Sequence, residues 1–445
     1  MRISWIVVGS MLLAGTLNAQ PPRKDPTVET LVSRVSSSQL RQYVETLAGF
    51  GTRHSLSDTV STTRGIGAAR RWIKSEFDRS AGKSGGRMSV AFHETVVPPS
   101  GRVRVPTNIV NVVATLSGTS APERMIVVGG HYDSRASDPL DAVSDAPGAN
   151  DDGSGTALVL ELARVMADQK FDATIVFIAF AGEEQGLLGA TAWADQARDR
   201  GWNVEAMLNN DIVGSSVGGD GVKDDRSVRL FSEAFSPLDT GSVFRMRNSL
   251  GLESDGSSRS LARWIDDVAG RYVHGFDVRL IHRRDRFLRG GDHSPFHARG
   301  IPAVRFSVAR ENYDWQHQNV RVENGREYGD LVKFMDFEYL ANVARVNAAA
   351  LATLALAPAA PRNAGVVVSR LEYETTLRWN ANTEPDLAGY YVRVRETTSP
   401  VWQEEVFTRD TIITIPKLKD DYLFGVQAVD KGGVRSLMAI PVPVR

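Results

Sequence analysis

The sequence predicts an α/β fold, with a mainly parallel central sheet flanked by helices, followed by a small all-β sandwich domain. Three observations carry this expectation. The runs MIVVGG (Met125–Gly130) and ATIVFIAF (Ala173–Phe180) are almost wholly apolar, as strands buried on both faces must be. Between them, GTALVLELARVMAD (Gly155–Asp168) has the three- and four-residue apolar spacing of a helix, so the order strand, helix, strand implies a layered α/β architecture. Beyond residue 357 the text changes to short alternating runs, TTLRWNA, GYYVRVRE, TIITIP and YLFGVQAVD, the period of half-buried strands.

Taken in order, residues 1–19 have the form of a signal peptide: Arg2, an apolar run to about Leu17, and a cleavage position after Ala19. An uncleaved anchor helix is the plainer alternative, but the run is shorter than the ~20 residues that span a bilayer. No later stretch reads as long and apolar enough to span, so the mature chain is expected to be exported, to the periplasm or outside the cell, with no stable membrane association. A short leader (20–27) precedes two helical texts, VETLVSRVSSSQLRQYVETLAGF and GIGAARRWIKSEFDRS. The alternating strands and helices follow, up to an Ala-rich helix at Asn342–Ala357 and a Pro/Ala linker, APAAPRNAG. The resulting division is 28–357 for the main domain and 361–445 for the small one. The small one resembles a fibronectin type III module, with Trp379 facing inward and Tyr422 placed as a tyrosine corner.

Composition excludes several classes of function. The 445 residues carry 52 Lys and Arg against 53 Asp and Glu, a net charge of −1 that offers nothing to nucleic acid. The chain has no cysteine, which removes disulfides, thiolate metal sites and a catalytic thiol.

The chemistry lies in five segments that follow apolar strands or occupy Gly-rich turns: His131 and Asp133 in GGHYDS, Asp151 and Asp152 in PGANDDGSG, Glu183 and Glu184 in AFAGEEQG, Asp211 in NNDIVG, and His317 in DWQHQN. Each alone has a plainer reading, as a helix cap, a solvated pair or a core histidine. Together they punctuate strand ends, where open α/β sheets build their sites. Imidazole and carboxylate are ligands suited to zinc, and five ligands with one shared carboxylate are an economical set for two metals.

These motifs, HYDS, GANDDGSG, FAGEEQGLLGA, NNDIVG and GDHSPFHARGIPAVRF, resemble the secreted bacterial dizinc aminopeptidases of the co-catalytic zinc exopeptidase family, which also contains glutamate carboxypeptidase-like enzymes and glutaminyl cyclases. The resemblance covers about Val28 to Ala357. It implies two zinc ions, with His131 and Asp211 on different metals, Asp151 bridging, Glu184 beside His131 or Asp211, and His317 completing the other zinc. It further implies Glu183 as general base, Asp133 accepting the free N–H of His131, and Asp292 and His293 close to the substrate. Asp152 is read as a loop or helix-cap residue. Where the family continues its last histidine with an aspartate four residues on, this chain has Arg321, with Glu323 as a possible replacement and His293 and His297 as the other candidate ligands.

The expected activity is hydrolysis of the first peptide bond of peptides or proteins from their N-termini. A single-zinc cyclase, a carboxypeptidase-type exopeptidase and a non-catalytic binding protein are the competing readings. Residues 215–275 are expected to wall the pocket, with Trp264 and Tyr272 equally readable as core. The basic run RLIHRRDRFLRG (Arg279–Gly290) is either a solvated loop or a rim for an acidic group.

Overall fold

The computed structural model describes residues 24–369 and 371–445, so the expected signal peptide lies outside the described residues. Eight strands form the main sheet: β1 (Met88–Val97), β2 (Thr107–Leu116), β3 (Ala121–His131), β4 (Ala173–Phe180), β5 (Asn203–Asn210), β6 (Ser227–Ser232), β7 (Asp277–Ile281) and β8 (Ala303–Val308). Their spatial order is β1-β2-β4-β3-β5-β8-β6-β7. The centre, β4-β3-β5-β8, is parallel, while β1–β2, β2–β4 and β6–β8 are antiparallel. Every residue of β4 is buried, which is why its sequence lacks alternation.

Among the described residues, nine α-helices accompany the sheet: α1 (Pro26–Ser33), α2 (Ser37–Gly49), α3 (Gly65–Ala81), α4 (Gly153–Met166), α5 (Leu188–Asp199), α6 (Gly241–Ser249), α7 (Ser257–Tyr272), the short α8 (His293–His297) and α9 (Phe337–Leu356). Asp25 and Ser36 cap α1 and α2 with side-chain oxygens, so the break in the first helical text falls between them. α9 corrects one expectation: its 20 residues are long and apolar enough to cross a membrane. It is instead the central core helix, 83% buried, packed on α1, α2, α4 and α7.

Residues 365–445 form a four-stranded and a three-stranded sheet around Leu377, Trp379, Tyr390, Val392, Val394 and Phe424. Trp379 faces inward as expected and meets Tyr390 edge-on, with ring centroids 5.2 Å apart. Tyr422 is only half-buried, beneath the Lys417 ammonium. Tyr390 is the buried tyrosine, and its hydroxyl accepts the Asn382 N–H at 2.8 Å.

The linker is held rather than loose. Arg124 donates to the Ala357 carbonyl, Trp264 Nε1 donates to the Ser436 carbonyl, and fully buried Asp255 pairs with both Arg263 (2.8 Å) and Arg395 (2.7 Å).

Candidate metal centre

The site forms at the carboxyl ends of the parallel strands. His131 ends β3, Glu183 and Glu184 follow β4, and Asp211 follows β5. Asp151 and Asp152 occupy the loop that enters α4. Asp152 does both things expected of it. It caps α4 by accepting Gly155 N–H (2.8 Å), and it ties the loop to the strands by accepting His131 N–H (3.0 Å) and Ile212 N–H (3.3 Å). Gly155 is required by close approach, since a Cβ there would lie 2.0 Å from the Asn210 carbonyl oxygen.

The Glu183–Glu184 turn is fixed from two sides. Asn111 accepts Ala181 N–H and donates to the Gly189 carbonyl, which pins both ends of the turn. Asp133, fully buried, accepts the backbone N–H groups of Glu183 and Glu184, each at 3.2 Å. This modifies the expected role of Asp133. The nearest acceptor for His131 Nδ1 is the Asp133 backbone carbonyl at 3.1 Å, with its carboxylate 3.5 Å away. Either oxygen fixes the tautomer that leaves Nε2 facing the centre.

Two groups of ligand-competent side chains result: His131, Glu183 and Asp211 in one, and Asp151, Glu184 and His317 in the other, the atoms of each within 4.8 Å of one another. Asp151 touches both groups, with Oδ1 3.2 Å from His131 Nε2 and Oδ2 2.9 Å from His317 Nε2. All five expected ligands are brought together, with Glu183 joining the first group, and their grouping differs from the one expected. His131 and Asp211 belong together (3.8 Å), and Glu184 stands with His317 (2.8 Å). The residue donors suit zinc, and the electrostatics fit a cation. Burial opposes charge on His131, yet Asp133, Asp151 and Asp211 raise it well above the usual imidazole range. His317 is likewise pushed up to about 10 by Glu184 and Asp151 against its burial. Burial, reinforced by Glu184, Asp211 and Asp292, drives Glu183 well above the usual carboxyl range although His131 pulls it down. Four carboxylates converging on two imidazoles form a set that metal ions would satisfy.

The remaining expected residues sort as follows. Asp292 is fully buried with both oxygens unpartnered, and burial pushes it up to about 8, with Asp133 and Asp211 adding to it. His293 turns away, Nε2 donating to the Arg284 carbonyl at 2.8 Å, and His297 lies with Ser258, Phe235 and Glu233, so neither competes with His317. Glu323 is exposed and pairs with Arg321 at 3.0 Å, so it does not replace the missing aspartate.

Residues 215–275 do not wall the pocket. They build β6, α6 and α7, with Trp264 buried and the Tyr272 hydroxyl accepting Asp25 N–H. A cavity of about 770 Å³ over the ligands is lined instead by residues 101–102, Arg135, 183–187, Arg286, 289–290, Tyr313 and 316–318.

Three supporting residues escaped the sequence reading. Arg305, fully buried in β8, lies 2.8 Å from Asp211 Oδ1 and 2.7 Å from Asp285 Oδ2. Its signal was available, because a lone cation in the apolar text IPAVRFSV must be paired if that text is a core strand. Arg53, also fully buried, donates to the carbonyls of Leu47, Tyr132, Pro147 and Gly148, stitching the His131 and Asp151 loops together. Asp330 accepts the N–H groups of Asn150 and Asp151. Asp330 had no local signal, since its partners are distant in sequence, and Arg53 had only the weak motif LAGFGTR that ends on it.

Comparison with known proteins gives the family and the fold. Residues 111–324 match the model of peptidase family M28. A probable zinc metalloprotease of Leptosphaeria maculans is 44% identical over 95% of this chain and 98% of its own length. One of Pyricularia oryzae is 43% identical over 96% of this chain and 86% of its own. Among solved structures, LapB of Legionella pneumophila aligns with a TM-score of 0.55 at 20% identity over 76% of each chain. An aminopeptidase of Aneurinibacillus aligns at 0.50 and 18% over 74% of this chain and 96% of its own. The named relatives at high identity are fungal, and the solved structures support the fold alone.

Proposed function

The chain belongs to peptidase family M28 and is a zinc-dependent hydrolase, and from that premise we propose that it is an exported aminopeptidase holding two zinc ions. The observation that carries the reading is the pair of three-residue ligand groups joined through Asp151. His131 and Asp211 would hold one zinc, Glu184 and His317 the other, and Asp151 both. When bound, the metals would supply Lewis acidity toward the scissile carbonyl and toward water.

Glu183 is the general base. It takes a proton from the attacking water and delivers it to the leaving amine. Asp133 holds the backbone of both glutamates, which divides the work between neighbours: Glu184 binds metal and Glu183 moves the proton. Asp292 is buried beside this machinery, behind the cavity lining. A single-zinc cyclase would leave one of the two ligand groups without a role, and a binding protein would need neither.

Residues 1–19 are proposed as a signal peptide directing the chain to the periplasm or the exterior. Residues 361–445 are proposed as a fibronectin type III-like module, which the two sheets packed about Trp379 support. The test is metal content of the purified mature protein together with hydrolysis of free and N-acetylated aminoacyl anilides. Two zinc ions per chain and cleavage of the free anilides alone is the expected result. One zinc and no anilide hydrolysis would overturn it.

A further inference from the structure

Four arginines face the cavity that contains the metal ligands: Arg102 and Arg135 on one wall, Arg286 and Arg289 on another. Their own carboxylate partners are few. Arg102 is exposed and donates to the Glu184 backbone carbonyl at 2.5 Å. Arg135 donates to the carbonyls of Ala136 and Ser137, and its nearest carboxylate oxygen, Glu184 Oε2, is 3.9 Å away. Arg286 and Arg289 share one oxygen of Glu311, at 2.9 and 3.1 Å, while the other oxygen of Glu311 takes Arg229. Asp285, the second acid that Arg286 reaches, is shared with Arg305.

The four carboxylates lining the same cavity are Asp151, Glu183, Glu184 and Asp211, and these are the residues committed to zinc and to proton transfer. With divalent cations on them, they no longer balance the guanidinium groups. A concave, partly dehydrated pocket with excess positive charge draws in an anion, and guanidinium is the side chain best shaped for a carboxylate.

We propose that this pocket selects substrates bearing a carboxylate within one residue of the scissile bond. The distance follows from Arg102 and Arg135 contacting Glu184 itself, so an anion held there lies next to the reacting carbonyl. The inference rests on the metallopeptidase reading above and deepens it. Two sources share the chemistry: the free α-carboxylate of a short peptide, or an acidic side chain beside the cleaved bond. The α-carboxylate is also what a carboxypeptidase-type enzyme of the fold would need.

The experiment is equilibrium binding to the zinc-loaded, turnover-blocked Glu183→Gln protein by calorimetry. Leu-Leu is compared with Leu-Leu-amide, and Leu-Glu-amide with Leu-Gln-amide. At least one pair is expected to show tenfold or greater preference for the anion, and which pair does so identifies the source. Replacing both Arg102 and Arg289 by Met should bring that ratio to about one, while Arg104→Met, on the same loop but outside the cavity lining, should leave it unchanged. Ratios within twofold for both pairs, or a preference that survives the double replacement, would overturn the proposal. Hydrolysis of N-acetyl-Leu-Leu by the unmutated enzyme would separately overturn the aminopeptidase reading, with the binding ratios still deciding this one.

Discussion

Two clusters of buried charge in this molecule are built differently. Where the C-terminal module meets the main domain, Asp255 sits between Arg263 and Arg395, each bond 2.7–2.8 Å, and both carboxylate oxygens are engaged. At the carboxyl end of the sheet, Asp151, Glu183, Glu184 and Asp211 crowd around two imidazoles and Arg305, and Asp292 has no partner for either oxygen. The first cluster is closed and its role is architectural. The second is open, and an open cluster of buried acids is tolerable only if something else completes it. Matched against unmatched charge therefore separates scaffold from site without reference to sequence motifs.

The comparison can be broken most sharply at Glu183. Glu183→Gln should lower kcat by about 10³-fold, within the range for loss of a positioned general base, while metal content by atomic absorption stays at the wild-type level. Loss of metal along with activity would mean that Glu183 is a ligand. At the closed cluster the expectation reverses. Arg395→Met should cost about 3 kcal/mol in denaturant unfolding, because Asp255 keeps only one of its two cations, with kcat/KM unchanged in the folded fraction. A drop in kcat/KM without loss of stability would instead connect the module to catalysis.

Arg305 tests the boundary between the two kinds of cluster, since it is closed on Asp285 and open toward Asp211. A lysine has a single ammonium and cannot serve both carboxylates in the same geometry. Arg305→Lys should lower zinc affinity or kcat/KM by about 10–100-fold, read by chelator competition and steady-state kinetics. The smallest effect is expected at Asp266 on α7, where burial, with Asp267 and Asp277 nearby, pushes the carboxyl up to about 6. The folded state then holds a proton that the unfolded state has released, so stability falls as pH rises from about 4 through about 6. Asp266→Asn should be neutral at pH 4 and stabilising by about 1 kcal/mol at pH 7.5, the value being reduced by partial hydration of the side chain. Thermal unfolding at the two pH values would measure it, and an equal effect at both would refute the shift.

Local patterns were enough for much of the architecture. Hydrophobic period placed β3, α4 and β4, because those elements depend on which faces are buried and that is written in consecutive residues. The two-sided burial of β4 and the alternating exposure of strand Leu387–Glu396 follow from the same rule. The region 215–275 was opaque for the converse reason. β6 is a sheet strand near an edge and α6 has no buried residue, so neither carries a strong period. The reading that no later stretch is long and apolar enough to span fails at α9, whose length and composition are common to core and membrane helices.

What the sequence determined by itself is the identity of the acids and imidazoles at the site. A residue at the end of a buried parallel strand or at a helix entrance must emerge on one edge of the sheet, whatever the rest of the chain does. Which of them stand together was decided only by the tertiary structure. His317 is 133 residues from Glu184 and reaches it at 2.8 Å, through a loop whose direction no local pattern states. The same holds for Arg305 against Asp211, for Arg53 and Asp330 under the Asp151 loop, and for the arginines around the cavity. Periodicity encodes a face, whereas pairing depends on distances between elements, and those are set by the packing of the whole core.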